Sequence, residues 1–295
     1  MGARGFRGVV SPAVVSVAIV FLAAAAVAAG EPTALRARAE AGDPSSQFDL
    51  GSMYTKGQGV PRDAAEAFIW YRKSAEQGYA AAQYNLGVAY QTGDGVVQDD
   101  GAAATWYRKA ADQGYAKAQN NLGRMFVNGV GVAKDAAVGA GLFVMAAGQG
   151  HAEAQCNLGS LYSRGEGVPK DISKAFSWYL LAARQGHAQA QNNVGWMYYT
   201  GEGVAENTTE GVAWLLKSAN QGYAMAQYNL GLAYAGAKGG LGDKVEAYRW
   251  FTLAAAQGGD AEIIAQEKMT LLESGMTPAM LAEARERAAK RLPTK

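Results

Sequence analysis

The stretch QGYAAAQYNLGVAYQTGDGVVQDDGAAATWYRKAAD, residues 77–112, decides the fold because it recurs along the chain with a period of 36 residues. Rows of this length beginning at Ala41, Gln77, Gln113, Gln149, Gln185 and Gln221 align almost column for column without a gap. A period in this range is the mark of a repeat architecture, in which one supersecondary unit buries its apolar face only by stacking on its neighbours.

Each row reads as two helices. The first spans about Ala80 to Thr92 in the quoted row, with an apolar column at Leu50, Leu86, Leu122, Leu158, Val194 and Leu230. Four residues on lies an aromatic column, Tyr54, Tyr90, Phe126, Tyr162, Tyr198 and Tyr234, so both columns share one helical face. A Gly-x-Gly pair ends this helix in five rows (Gly57/Gly59, Gly93/Gly95, Gly129/Gly131, Gly165/Gly167, Gly201/Gly203), since glycine accepts the left-handed backbone of a helix stop. The second helix opens at Asp63, Asp99, Asp135, Asp171, Asn207 and Asp243, all good N-caps. Glu66, Glu210 and Glu246 stand where they complete capping boxes. Its buried face carries Trp70, Trp106, Trp178, Trp214 and Trp250, with small pairs such as Ala110-Ala111 and Ala182-Ala183. A glycine column at Gly51, Gly87, Gly123, Gly159, Gly195 and Gly231 falls mid-helix, where each glycine costs roughly 1 kcal/mol against alanine. A steric need is therefore expected there, with the Trp of the second helix as the candidate for what fills the space.

The pattern A-x-A-Q-x-N-L-G-x-x-Y-x-x-G-x-G-V-x-x-D followed by A-x-x-W-Y-x-x-A-A-x-Q-G resembles the Sel1-like repeat, a relative of the tetratricopeptide repeat. The resemblance covers residues 41–256 in six rows and implies an all-α fold, a right-handed α/α superhelical solenoid. It also implies a concave surface lined by the first helices, used to hold other proteins together. Residues 30–40 read as an N-terminal half-repeat cap. Residues 257–295 read as C-terminal capping helices, one from about Ala261 to Glu273 and a charged one opened by Thr277-Pro278, an N-cap and N1 pair. That charged tail reads as a solvated lid.

The chain of 295 residues is 49% apolar and 18% charged, the composition of a folded soluble protein. Its first residues differ: Arg4 and Arg7 precede a charge-free run to Gly30 containing Ala26-Val27-Ala28, which reads as a signal peptide over 1–29 cleaved near Ala28. An uncleaved anchor is the alternative, and would be the sole membrane attachment. Cleavage removes two of the 27 basic residues and none of the 26 acidic ones, leaving a net charge near −1 and disfavouring a nucleic-acid partner. The single cysteine, Cys156, excludes an intramolecular disulfide.

No column signals catalysis, a cofactor or a metal. The Gly-x-Gly turns are flanked by helices, not by the strand and helix N-terminus of a phosphate cradle. His151 and His187 lie one repeat apart, and packed helices separated by ~8–10 Å hold two imidazoles too far apart to share an ion; packing is the expected role. Asn207-Thr208-Thr209 matches a glycosylation sequon, but Asn207 fills the N-cap column.

Where rows disagree, a partner can be read. The variable first-helix stripe reads Phe48, Tyr84, Asn120, Cys156, Asn192, Tyr228 in one column, then Ser52, Val88, Arg124, Ser160, Trp196, Leu232, then Thr55, Gln91, Val127, Ser163, Tyr199, Ala235. Trp196 is the one tryptophan off the period, so it is expected to form with Tyr199 an exposed aromatic platform, flanked by Asn192, Arg124 and Tyr228, with Tyr84 and Asn120 completing the stripe. The third row differs again: DAAVGAGLFVMAAG has glycines Gly139, Gly141 and Gly148 and an uncharged outer face, so a hinge or a docking face is expected there. The resulting reading is a non-catalytic adaptor of the bacterial periplasm or cell envelope that binds a protein or peptide in its concave groove. Two alternatives are an exported cell-wall or β-lactam-processing hydrolase of the cysteine-rich type, whose paired cysteines are missing here, and an accessory scaffold for envelope polysaccharide or secretion machinery.

Overall fold

The computed structural model describes residues 33–236 and 242–290. The predicted signal peptide, residues 30–32 of the N-terminal cap and the last five residues lie outside them. Within the described residues the chain is helical throughout: α1 (33–40), α2 (Pro44–Lys56), α3 (Ala64–Glu76), α4 (Ala80–Thr92), α5 (Asp100–Asp112), α6 (Ala116–Asn128), α7 (Ala136–Gly148), α8 (Ala152–Arg164), α9 (Ile172–Arg184), α10 (Ala188–Thr200), α11 (Thr208–Asn220), α12 (Ala224–Ala235), α13 (Lys244–Ala255), α14 (Gly259–Glu273) and α15 (Pro278–Ala289). The chain divides into two compact units, Met1–Ala118 and Gln119–Lys295.

Local chemistry sets these boundaries. Helices α2, α4, α8 and α10 stop on glycine in the left-handed region, with Gly57 at φ 67°, Gly93 at 73°, Gly165 at 69° and Gly201 at 77°. The second glycine of the pair has a different reason: a Cβ on Gly95 would lie 2.1 Å from the Ala64 carbonyl oxygen, and one on Gly167 2.2 Å from that of Ala136. The turn thus rests on the first residue of the preceding repeat's second helix. Asp63, Asp99, Asp135, Asp171, Asn207 and Asp243 all accept from a backbone N–H in the first turn of the helix they open. The expected capping boxes do not close at Asp63 and Asn207, because their own N–H groups donate to the carbonyls of Tyr54 and Tyr198 in the preceding helix, leaving Glu66 and Glu210 no donor to reach back to. His151 and His187 prove to be caps as well, Nδ1 accepting from Ala154 and Ala190 N–H at 3.2 and 3.3 Å.

In the first unit Trp70 packs with Ala39 of α1 and Leu50 of α2, and Trp106 packs against Leu86, Ala75 and Ala82. In the second unit Trp214 and Trp250 do the same with Val194 and Leu230. Each ring wedges between its own first helix and the second helix of the repeat before it. The mid-helix glycine column therefore faces something else. A Cβ on Gly51, Gly87, Gly123, Gly159 or Gly231 would sit 2.5–2.8 Å from the ring of Tyr71, Tyr107, Phe143, Tyr179 or Phe251, the residue after the periodic Trp position. This corrects the expectation that the Trp fills the gap; consecutive helical side chains project about 100° apart, so only one of the pair can point at the glycine.

Glutamines tie successive repeats together. Gln47 donates its side-chain N–H to the Ala39 carbonyl at 3.0 Å and its Oε1 accepts from Gln77 at 2.8 Å. Gln83, Gln155 and Gln191 repeat the arrangement. The ladder stops at Gln227, whose buried Oε1 has no partner among the described residues. At the C-terminus Thr277 caps α15, as expected. The tail is more than a solvated lid: Met280, Leu281 and Ala284 cover Val245 and Tyr248 of α13, and Arg287 pairs with Glu246 at 2.6 Å.

Candidate functional site

The stripe residues do not all meet. Tyr84, in the first unit, lies between Tyr107 and Tyr115 at ring-centroid distances of 5.7 and 5.3 Å. Arg124 pairs with Glu153 at 3.3 Å and lines a small cleft with Val127, Asn157 and Arg164. Tyr228 packs on Phe251 at 5.6 Å. Asn120 is buried, accepting from Asn157 at 3.0 Å. None of the four lines the cleft beside Trp196.

That cleft, of about 280 Å³, has apolar walls from Ile172, Tyr179, Trp196 and Met197 and polar ones from Ser163, Asn192, Asn193, Glu202 and Asn229. Trp196 is half-buried and stacks on Tyr199, centroids 5.5 Å apart and planes at 27°. Tyr199 itself is 8% exposed, which corrects the expected two-ring exposed platform: one ring is presented and the other supports it. The cause lies in α11. Where the five other repeats place Tyr71, Tyr107, Phe143, Tyr179 and Phe251, this one has Leu215, and where most have alanine it has Gly211. A Cβ on Gly211 would meet the backbone N of Tyr199 at 2.8 Å, so α10 and α11 approach closely there. The aromatic bulk that the second helix elsewhere supplies comes in this repeat from the first helix.

Asn192, also expected to be exposed, is buried in an amide chain: Asn229 donates to its Oδ1 at 2.9 Å, and its own amide donates to Asn193 at 3.2 Å. A buried amide keeps its partners, and here both neighbours are amides too. Sequence reasoning missed Asn193, Asn229 and Glu202. The first two sit in the near-invariant Asn column and read as framework; Glu202 sits in the Gly-x-Gly turn. The available signal was Glu202 itself, one of only three acids in that turn column.

Groups able to do covalent or metal chemistry are not gathered here. Burial and the neighbouring charge of Glu153 push the Cys156 thiol up to about 12, far from a nucleophilic thiolate. Burial holds the His187 imidazole below its usual value. Among the described residues no three His, Cys, Asp or Glu side chains converge as metal ligands, and no helix is long and apolar enough to cross a membrane.

Stacked helix pairs repeated along the chain define a helical-repeat protein. The Sel1 repeat model matches six consecutive segments, 44–79, 80–115, 116–151, 152–187, 188–223 and 224–259, and the chain belongs to the Sel1 repeat family. These segments begin three residues after the rows set by the 36-residue period. Among solved structures the chain is similar to c5321, a protective antigen of uropathogenic Escherichia coli strains, at 36% identity and TM-score 0.75, over 88% of this chain and 56% of that one. It thus spans little more than half that antigen's length. It is also similar to a Sel1 repeat protein from Oxalobacter formigenes, at 33% identity and TM-score 0.66, over 72% of this chain and 85% of that one. No curated protein matches the sequence. Sel1 repeats generally mediate protein–protein interaction and are typically non-catalytic scaffolds.

Proposed function

We propose that the chain is an exported, non-catalytic adaptor of the bacterial envelope that holds a protein or peptide on the variable face of its first helices. The observation that carries this reading is the cleft beside Trp196, where a half-exposed indole shares the lining with amides and a carboxylate. Few convergent polar groups on an apolar wall are what small recognition sites are made of, and tryptophan dominates interface hot spots. Export rests on the basic, apolar and A-x-A order of residues 1–29.

The test is capture from envelope extract on immobilised mature chain beside Trp196→Ala and Met145→Ala variants, followed by direct titration of each captured protein in purified form. Tyr199 is left intact because it is buried. A protein bound by the parent and by Met145→Ala but at least tenfold more weakly by Trp196→Ala supports the reading, that ratio being about 1.4 kcal/mol. Equal binding by all three removes the cleft from the function. N-terminal sequencing of the envelope-fraction protein tests export: a start at Ala29 or Gly30 supports cleavage, and an intact Met1 refutes it.

A further inference from the structure

We infer that the cleft beside Trp196 receives an arginine side chain of the partner, the guanidinium resting on the indole and pairing with the Glu202 carboxylate. This rests on the reading of the first-helix face as a protein-binding surface and specifies what it binds.

Two internal comparisons, taken together, mark the site. The first concerns the tryptophans. Lys73 lies 4.0 Å from the centre of the Trp70 ring, Lys109 3.8 Å from Trp106, Lys217 4.0 Å from Trp214, and the Arg249 guanidinium 4.7 Å from Trp250. These four rings have an intramolecular cation, whereas Trp178, with Leu181 at that position, has none among the described residues. Trp196 has Tyr199 at the position three residues on, so it gains a stack and no cation among the described residues, and its remaining surface lines a cleft. The second comparison concerns the acids of the Gly-x-Gly turns. Asp94 pairs with Arg62 at 4.0 Å; Glu166 pairs with Lys134 at 3.5 Å and Arg164 at 3.3 Å. At Glu202 the position of Arg164 is taken by Thr200, and Lys170, in the position of Lys134, forms no ion pair with it among the described residues. Trp196, with no cation over its ring, and Glu202, with none on its carboxylate among the described residues, line the same cleft.

The rest of the lining fits the same guest. None of its nine residues is basic, so an anionic ligand would meet Glu202 with no compensating charge. Asn229 is 9% exposed and spends its amide N–H on Asn192, while its Oδ1 accepts no hydrogen bond among the described residues. A guanidinium supplies what these groups lack: a planar cation for the indole, paired donors for the carboxylate and further N–H groups for an amide oxygen. A neutral saccharide would use the ring and amides but leave the carboxylate unpaired, and an ammonium lacks the planar face.

The experiment titrates acetyl-Gly-Arg-Gly-amide into the full chain, following the Trp196 indole N–H signal by NMR, with lysine and citrulline counterparts as controls. Citrulline keeps the shape of arginine and removes the charge. The expected result is saturable binding of the arginine peptide, at least tenfold weaker binding of the citrulline peptide, weaker binding of the lysine peptide, and a fivefold or larger loss in Glu202→Gln with an unchanged melting curve. Equal binding of citrulline or lysine, unchanged binding in Glu202→Gln, or no shift at about 10 mM peptide overturns the assignment. The two readings fail separately. If the arginine peptide fails while a captured protein still depends on Trp196, only this inference falls; if no captured protein depends on Trp196, the adaptor reading of the cleft falls.

Discussion

Gly195 and Gly141 are both helical glycines, and propensity alone says that alanine improves each by roughly 1 kcal/mol. The structure separates them. A Cβ on Gly195 would lie 2.8 Å from the Leu215 backbone N and 2.9 Å from the Gly211 carbonyl oxygen, neither of which can move without shifting α11, whereas one on Gly141 meets nothing within 4 Å. Gly195→Ala is expected to destabilise by about 1–3 kcal/mol and Gly141→Ala to stabilise by up to about 1 kcal/mol, read by chemical denaturation. His187 carries a pH dependence of definite sign. Its neutral Nδ1 accepts the Ala190 N–H, and burial holds its folded pKa below the usual 6.5, so the unfolded chain takes up the proton first. Stability is therefore full above that value and falls as the pH drops from it towards the folded pKa. Denaturation at pH 7.5 and pH 5 should show a smaller loss in His187→Asn, which keeps a capping acceptor and does not titrate.

At the scale of the element, α7 shows what pattern reading can and cannot separate. Its three glycines look alike in the sequence. Gly139 is a packing residue, its Cβ position 2.6 Å from a Val127 methyl, while Gly141 and Gly148 face open space. Val138, Val144 and Met145 are all more than 40% exposed on the same helix. The helix is continuous, so a weak spot shows as exchange and not as a break: amides of α7 are expected to exchange faster than those of α9, and Gly141→Ala to slow them. Equal protection of α7 and α9 would dismiss the hinge. Cys156 on α8 gives a complementary probe. Buried, with its thiol pushed up to about 12, it should react with a disulfide reagent at pH 8 only as fast as the second unit opens, and at full speed in denaturant.

At the scale of the whole chain, repeat proteins are limited by their ends, because a terminal repeat has a face with no neighbour to cover it. The glutamine ladder records that end directly, in the Oε1 of Gln227, which has no partner among the described residues. α15 shields the last helix pair, laying Met280, Leu281 and Ala284 over Val245 and Tyr248 of α13. A chain ending at Gly275 is expected to lose on the order of 3 kcal/mol, the value of exposing about two large apolar side chains, and to aggregate sooner on heating. Unchanged denaturation would make α15 an appendage.

The 36-residue period by itself determined the all-α fold, the helix pairs, the N-caps and the glycine stops, since each depends on residues at most one repeat apart whose geometry is local. Tertiary structure alone decided the rest. The side chain facing each mid-helix glycine belongs to the residue after the periodic Trp position, because side-chain direction on a packed helix depends on its neighbour. Tyr199 and Asn192 are buried because Leu215 and Gly211 on another helix left room for one, and Asn193 and Asn229 satisfied the other. Glu202 joined the lining of the Trp196 cleft only when folding carried a turn residue beside the tryptophan of its own repeat.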